Sequence, residues 1–242
     1  MPRAVVRPAA LLAFALSLPL ALRATGPTRA QVRPSSFDVA SELRLVGGAP
    51  ADGERVPVVV FLAATNGTAA GQFNWLSGAV PFARYLAVLP AGQPTTEHYL
   101  PRFGDYVGWM ETRLERDLAT ARERFALDPE RVYLAGFSLG GDTSWALLAR
   151  HPDIYRGAVV LGARSSARVR GRGFHIMRER SVRVAFAIGQ DDSDVRRRGI
   201  ARTHDAVRAA RVPTQLTHYP GTHTLPRDPD VLRAAFAFVM AP

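Results

Sequence analysis

The sequence contains no cysteine among its 242 residues. No disulfide can therefore stabilise it, and no lipid-attachment cysteine follows its N-terminal segment, so the hydrophobic core must suffice by itself. Lysine is absent as well, and all 31 basic residues are arginine. No period of some tens of residues repeats, and no stretch resembles an interdomain linker. No set of His, Asp and Glu has ligand spacing on one helix, so neither a metal nor any other cofactor is indicated. The arginines cluster only in Arg164 to Arg183 and Arg196-Arg-Arg198. Aromatic residues do not interleave with them as a single-strand-binding surface requires, so nucleic acid is not an expected partner and the charge reads as a solvated surface.

A long apolar run is also missing. The N-terminal apolar run, Ala9 to Ala21, carries no charge and has 13 residues, short of the roughly 20 that cross a bilayer but suited to a secretory signal. Arg3 and Arg7 precede it and Arg23 follows it. Residues 1–30 are therefore read as a signal peptide ending at Thr28-Arg-Ala30, with Ala24 as the other candidate end and a retained anchor as the alternative. The expected location is secreted or periplasmic, with no stable membrane insertion after cleavage. Removing the segment takes away four arginines and no acid, leaving 27 against 21. The remaining residues, 31–242, suit one globular domain: 47% of the whole sequence is hydrophobic and 21% charged, an ordinary balance that argues against disorder.

What the chain does have is an alternation of strand and helix patterns. Phe37 to Val46 alternates apolar and polar residues, as a half-exposed antiparallel edge strand does. Pro57 to Ala63 is a continuous β-branched run, the pattern of a strand buried on both faces. Tyr85–Leu89, Val132–Phe137, Gly157–Leu161, Val182–Ile188 and Thr214–Tyr219 read as further strands. Asp105 to Phe125 carries Val107, Met110, Leu114 and Leu118 at helical spacing; Trp145 to Ala149, Val195 to Ala210 and Val231 to Met240 also read as helices. Phe125 to Arg131 reads as a helix end and a proline-containing turn. The expectation is an α/β fold: a mainly parallel central sheet with helices on both faces and ligands at the carboxyl ends of the strands.

One stretch organises the rest. Val132-Tyr-Leu-Ala-Gly-Phe-Ser-Leu-Gly-Gly141 is an apolar run that stops on Ser138 between Gly136 and Gly140 and passes into a helical pattern. Such a G-x-S-x-G elbow forces the serine hydroxyl out above the sheet edge and points a helix N-terminus at it. A serine hydroxyl is a poor nucleophile near neutral pH, so a histidine must take its proton and a carboxylate must hold that histidine. Gly189-Gln-Asp-Asp-Ser-Asp194 and Pro220-Gly-Thr-His223 follow two later strands. The order Ser138, Asp192, His223 is the one tied to this elbow; Asp191 and Asp194 share the loop and remain alternatives to Asp192. Stabilising the oxyanion takes two backbone donors. The N–H of Leu139 is the first candidate, and Ala64 or Thr65, after the Pro57–Ala63 strand, supplies the second. The other histidines read as surface or packing residues, with His98 a possible pocket residue.

Leu127 to Gly141, together with His151-Pro-Asp153, resembles the α/β-hydrolase superfamily, in particular its secreted serine esterase branch: polyhydroxybutyrate depolymerase-like, feruloyl-esterase-like, dienelactone-hydrolase-like and phospholipase/carboxylesterase-like proteins. Gly189-x-x-Asp192 and Gly221-x-His223-Thr resemble the acid and histidine turns of that superfamily. The resemblance spans roughly residues 55–240 and implies a hydrolase acting on a small-molecule or polymeric ester through an acyl-enzyme. Two departures stand out. Many relatives carry His-Gly where this chain has Ala63-Ala64, and relatives that open dienelactones use cysteine where this chain has Ser138. Serine peptidase or acyltransferase chemistry would use the same triad, and a non-catalytic ligand-binding scaffold of the same fold is the alternative of another class. The arginine-rich segment Arg164 to Ser181 leaves little room for a large lid, so the pocket is expected to be open and suited to a short or exposed acyl group.

Overall fold

The computed structural model describes residues 40–242. The predicted signal segment, and residues 37–39 of the predicted first strand, lie outside them. Among the described residues, seven strands form one sheet in the spatial order β1-β3-β2-β4-β5-β6-β7. They are β1 (Glu42–Val46), β2 (Val56–Leu62), β3 (Tyr85–Leu89), β4 (Leu127–Phe137), β5 (Gly157–Leu161), β6 (Arg183–Gly189) and β7 (Thr214–Tyr219). Only β1 runs antiparallel, along β3 at one edge; every other neighbouring pair is parallel. β1 is the half-exposed edge strand that its alternation predicts.

The β-branched run of β2 is buried along its whole length because helices cover both faces of the sheet, leaving no polar face to the strand. Its side chains alternate between two cores. Val58, Val60 and Leu62 pack on one face with residues of α3 (Phe103–Arg124), α4 (Leu139–Arg150) and α6 (Asp194–Ala209). Val59 and Phe61 pack on the other with residues of α1 (Ala69–Leu76) and α7 (Pro229–Val239). Each large apolar side chain so buried contributes about 1.5–3 kcal/mol. Val107, Met110, Leu114 and Leu118 of α3 face the first of these cores, as their spacing predicts.

The structure departs from the sequence expectation in two places. Phe125 to Arg131 does not form a separate turn, since β4 begins at Leu127; instead its register against β2 jumps from Val56↔Leu127 to Val58↔Val132. The intervening Asp128-Pro-Glu-Arg131 therefore bulges from the ladder. The Asp128 carboxylate accepts the Glu130 N–H at 3.0 Å, and Pro129 has no N–H to leave unsatisfied. Three short helices also lie in stretches to which the sequence pattern assigns neither strand nor helix: α1, α2 (Thr96–Tyr99) and α5 (Gly173–Glu179). One or two turns hold too few apolar positions to establish a helical period.

The parallel ladder brings the carboxyl ends of β4, β6 and β7 to one edge: Phe137 pairs with Leu161, Leu161 with Ala187, and Gly189 with Tyr219. Ser138, Asp192 and His223 follow those ends directly. No helix of the described residues is long and apolar enough to cross a membrane.

Candidate active site

Ser138 has φ 57° and ψ −117°, a backbone conformation that costs a non-glycine residue of order 1–3 kcal/mol. It persists because the surroundings leave no other path. The Ser138 N–H donates to Leu161 O at 2.9 Å, and its carbonyl accepts from Asp142 N–H at 2.9 Å. The flanking glycines are sterically required: a Cβ on Gly136 would lie 2.4 Å from the Gly140 backbone, and one on Gly140 would lie 2.1 Å from the Leu62 carbonyl oxygen. Helix α4 can thus pack directly on β2, with the serine at its N-cap.

The hydroxyl of Ser138 lies 2.8 Å from His223 Nε2, and His223 Nδ1 lies 2.8 Å from Asp192 Oδ2. A carboxylate can only accept, so Nδ1 carries the hydrogen and Nε2 accepts from the serine. Pairs of residues 85 and 31 positions apart in sequence are here joined in one hydrogen-bonded chain. Asp192 is 4% exposed, and its second oxygen accepts the Ser193 N–H at 2.6 Å. Its loop neighbours point elsewhere: Asp191 is exposed, and Asp194 pairs with Arg197 and Arg198.

The histidine is held from three directions. The Asp191 N–H donates to Gly221 O at 3.0 Å, joining the acid loop to the histidine loop. Tyr219 donates its hydroxyl to Thr224 O at 2.6 Å, while burial pushes its phenol up to about 12, so it stays a donor at neutral pH. Phe137 stacks on the imidazole with ring centroids 4.8 Å apart. Gly162, at φ 55°, makes room for that ring, since a Cβ there would lie 2.5 Å from it.

Thr65 and Leu139 line one cavity with Ser138, of about 130 Å³, while Ala64 lines a larger neighbouring cavity of about 620 Å³. Of the two candidate second donors, the structure brings only Thr65 into the cavity that holds the serine. The loop after β2 lacks the His-Gly of many relatives but is fixed by other means. Asn66 takes φ 60°, its N–H donates to Pro94 O at 2.7 Å, and Thr65 Oγ1 lies 2.8 Å from the Tyr99 hydroxyl.

His98 is a helix cap: its Nδ1 accepts the Thr95 N–H at 2.9 Å, at the start of α2. His151 pairs with Glu111 and His175 with Glu179. No group of three His, Asp or Glu able to hold a metal ion occurs among the described residues.

Several residues that line the Ser138 cavity are not singled out for the site by the sequence, Tyr99, Asp142 and Arg196 among them. Asp142, immediately after the Gly140-Gly141 pair, is the one whose position offered a signal. One of its oxygens accepts the N–H groups of Arg164 and Ser165, each at 2.8 Å. Burial pushes its carboxyl above the ordinary range, against the opposing pull of those two N–H groups and of Arg164. Asp142→Ala leaves both donors without an acceptor and is expected to cost about 2 kcal/mol, whereas Asp142→Asn, which keeps an acceptor oxygen, should cost less than about 1 kcal/mol. Thermal unfolding of the two variants checks this, and equal losses would contradict it.

A mostly parallel seven-stranded sheet with a strand–serine–helix elbow at its carboxyl edge defines the α/β-hydrolase fold. The profile of the dienelactone hydrolase family matches residues 48–229. The chain belongs to that family and is a hydrolase. Among solved structures it is similar to the Bacillus cereus carboxylesterase, with TM-score 0.62 and 15% identity, covering 82% of this chain and 93% of that one. It is similar also to esterase PE8, with TM-score 0.58 and 18% identity over 83% and 98%. A third likeness is to Est1E from Butyrivibrio proteoclasticus, with TM-score 0.56 and 15% identity over 82% and 91%. At these identities the likeness concerns the fold. A comparison with curated proteins finds no match.

Proposed function

We propose that the protein is a secreted or periplasmic serine hydrolase that cleaves carboxylic esters through an acyl-enzyme formed on Ser138. The observation that carries this reading is the unbroken hydrogen-bonded chain from Ser138 through His223 to Asp192. Ser138 Oγ attacks the ester carbonyl carbon as His223 Nε2 takes its proton, and Asp192 stabilises the imidazolium. The N–H groups of Leu139 and Thr65 receive the oxyanion. The bond to the alcohol oxygen then breaks, and His223 returns the proton to that oxygen. A water activated by the same imidazole splits the acyl-enzyme, releasing the acid and restoring Ser138.

The two cavities divide the substrate. The leaving oxygen must face His223, and the larger cavity lies on that side, lined by Phe137, Thr224 and Leu225. The acyl portion then occupies the 130 Å³ cavity with Thr65, Ser138 and Leu139. A long alkyl chain would leave that cavity past Arg164 and Arg196, which also line it, so neutral acyl groups should be short. A fluorophosphonate probe should modify the peptide bearing Ser138. Acetyl and butyryl nitrophenyl esters should be cleaved with kcat/KM at least about tenfold above octanoyl and decanoyl esters. An unmodified protein that binds such esters without turnover would overturn the proposal. Product analysis separates hydrolysis from acyl transfer.

A further inference from the structure

The arginine cluster that begins at Arg164 plays no part in the chemistry above. Its segment is not a loose loop. At the start of α4, Asp142 holds the N–H groups of Arg164 and Ser165. Further along, Trp145 Nε1 donates to Ala167 O at 2.7 Å, and the backbone of Gly173 lies beside Ala149 and Pro152 at the end of that helix. On its other side, Thr203 of α6 donates to Ser165 O at 2.7 Å. The segment therefore runs along α4 from the Ser138 end to the far end, a distance of about 18 Å for a helix of this length.

Side chains along it alternate. Ala163 and Ser165 are buried and Ala167 and Val169 half-buried, while Arg164, Ser166, Arg168 and Arg170 are exposed, as is Arg172 after the Gly171 turn. Ser165 at φ 50° and Gly171 at φ 55° turn the backbone, and Ser166 interrupts the arginines, so the guanidinium groups form an unevenly spaced ladder. Its first rung, Arg164, lines the Ser138 cavity together with Arg196. Its last rungs, Arg168, Arg170 and Arg172, line a separate cavity of about 470 Å³ with Asp153 as the single acid. Arg197, Arg198, Arg208 and Arg233 each have a carboxylate partner on their own helix. Among the described residues Arg168, Arg170 and Arg172 have none. Guanidinium groups without a carboxylate partner, carried on an anchored backbone from one cavity to the next, match a linear polymer bearing several negative charges.

We propose that residues 164–172 bind a linear polycarboxylate of the polyuronate type, and that the ester cleaved at Ser138 is formed by a carboxyl group of that same chain. This rests on the serine-hydrolase reading. The ladder leads into the cavity assigned to the acyl portion, so the acyl-enzyme joins Ser138 to the polymer while the free carboxylates of neighbouring units occupy the arginines. The alcohol departs on the His223 side, and water restores the polymer carboxylate. A nucleic acid fits less well, since it carries no carboxylic ester and no aromatic side chain punctuates residues 164–172 for stacking.

The test separates binding from turnover. With Ser138→Ala protein, unesterified polygalacturonate should bind with an affinity that falls steeply with added salt, and fully methyl-esterified polymer should bind at least tenfold more weakly. The triple substitution R168Q/R170Q/R172Q should weaken polygalacturonate binding at least tenfold, and R168K/R170K/R172K should restore most of it. On a Ser138 background, partially methyl-esterified polygalacturonate should release methanol with kcat/KM at least tenfold above that for fully esterified polymer. The glutamine variant should lose that preference while cleaving p-nitrophenyl acetate at the wild-type rate. Unchanged binding by the folded glutamine variant, or equal or tighter binding of duplex DNA or anionic phospholipid vesicles, would overturn the proposal. Failure to cleave p-nitrophenyl acetate would instead remove the serine-hydrolase reading and leave the binding result standing.

Discussion

Replacing Ser138 by alanine is expected to lower kcat/KM for a short-chain ester by about 10⁴-fold or more and to abolish labelling by a fluorophosphonate. The size follows from what remains. With the nucleophile gone, the N–H groups of Leu139 and Thr65 and the two cavities can still bind an ester and polarise its carbonyl, and residual catalysis of that kind is small beside the covalent route. His223→Ala should cost about as much and should add little in the double variant, because nucleophile and base act as one unit. The substitution is sterically mild: it removes one hydroxyl from a backbone fixed by the bonds to Leu161 and Asp142. Folding should survive, and thermal unfolding alongside the kinetics checks that it does. A Ser138→Ala protein retaining most of its activity would refute the assignment of Ser138 as nucleophile.

Asp192→Asn is expected to lower kcat by about 10⁴-fold with little change in KM, whereas Asp191→Asn and Asp194→Asn should stay within about threefold of wild type. In the proposed mechanism Asp192 does not meet the substrate; it orients the imidazole and stabilises its charged form. An amide at that position can turn its NH₂ toward Nδ1, which selects the tautomer with hydrogen on Nε2 and leaves nothing to accept the serine proton. The loss should therefore fall on the chemical step, and fluorophosphonate labelling should slow in proportion. Steady-state kinetics of the three asparagine variants decide the matter. The structure gives the reason for the contrast. Asp192 is nearly fully buried against His223, Asp191 is exposed, and Asp194 is occupied by two arginines of its own helix.

Much of the fold was legible in the sequence because its signals are local. A strand buried on both faces must be apolar throughout, and Val56–Leu62 is. A long amphipathic helix repeats its core positions often enough to reveal them, as Val107 to Leu118 do. The short helices gave no such signal, and the jump in register at Asp128–Arg131 depends on how β2 lies beside β4, which no window on the chain contains. Ser138, Asp192 and His223 could be named because each follows a recognisable strand. Tyr99 and Arg196 could not, because they reach the Ser138 cavity from a four-residue helix and from the first turn of α6.

The sequence by itself determined the order of strands and helices, the elbow at Ser138, and the loops that carry an acid and a histidine, since each rests on residue types within a few positions of one another. Tertiary structure alone decided which carboxylate faces His223, which loop residue shares the cavity of the serine, and that a scatter of arginines between two strands is an anchored ladder beginning at that cavity. These depend on contacts between residues distant along the chain. Such contacts exist only once the sheet has twisted, the helices have packed on its two faces, and the carboxyl ends of its strands have come to one edge.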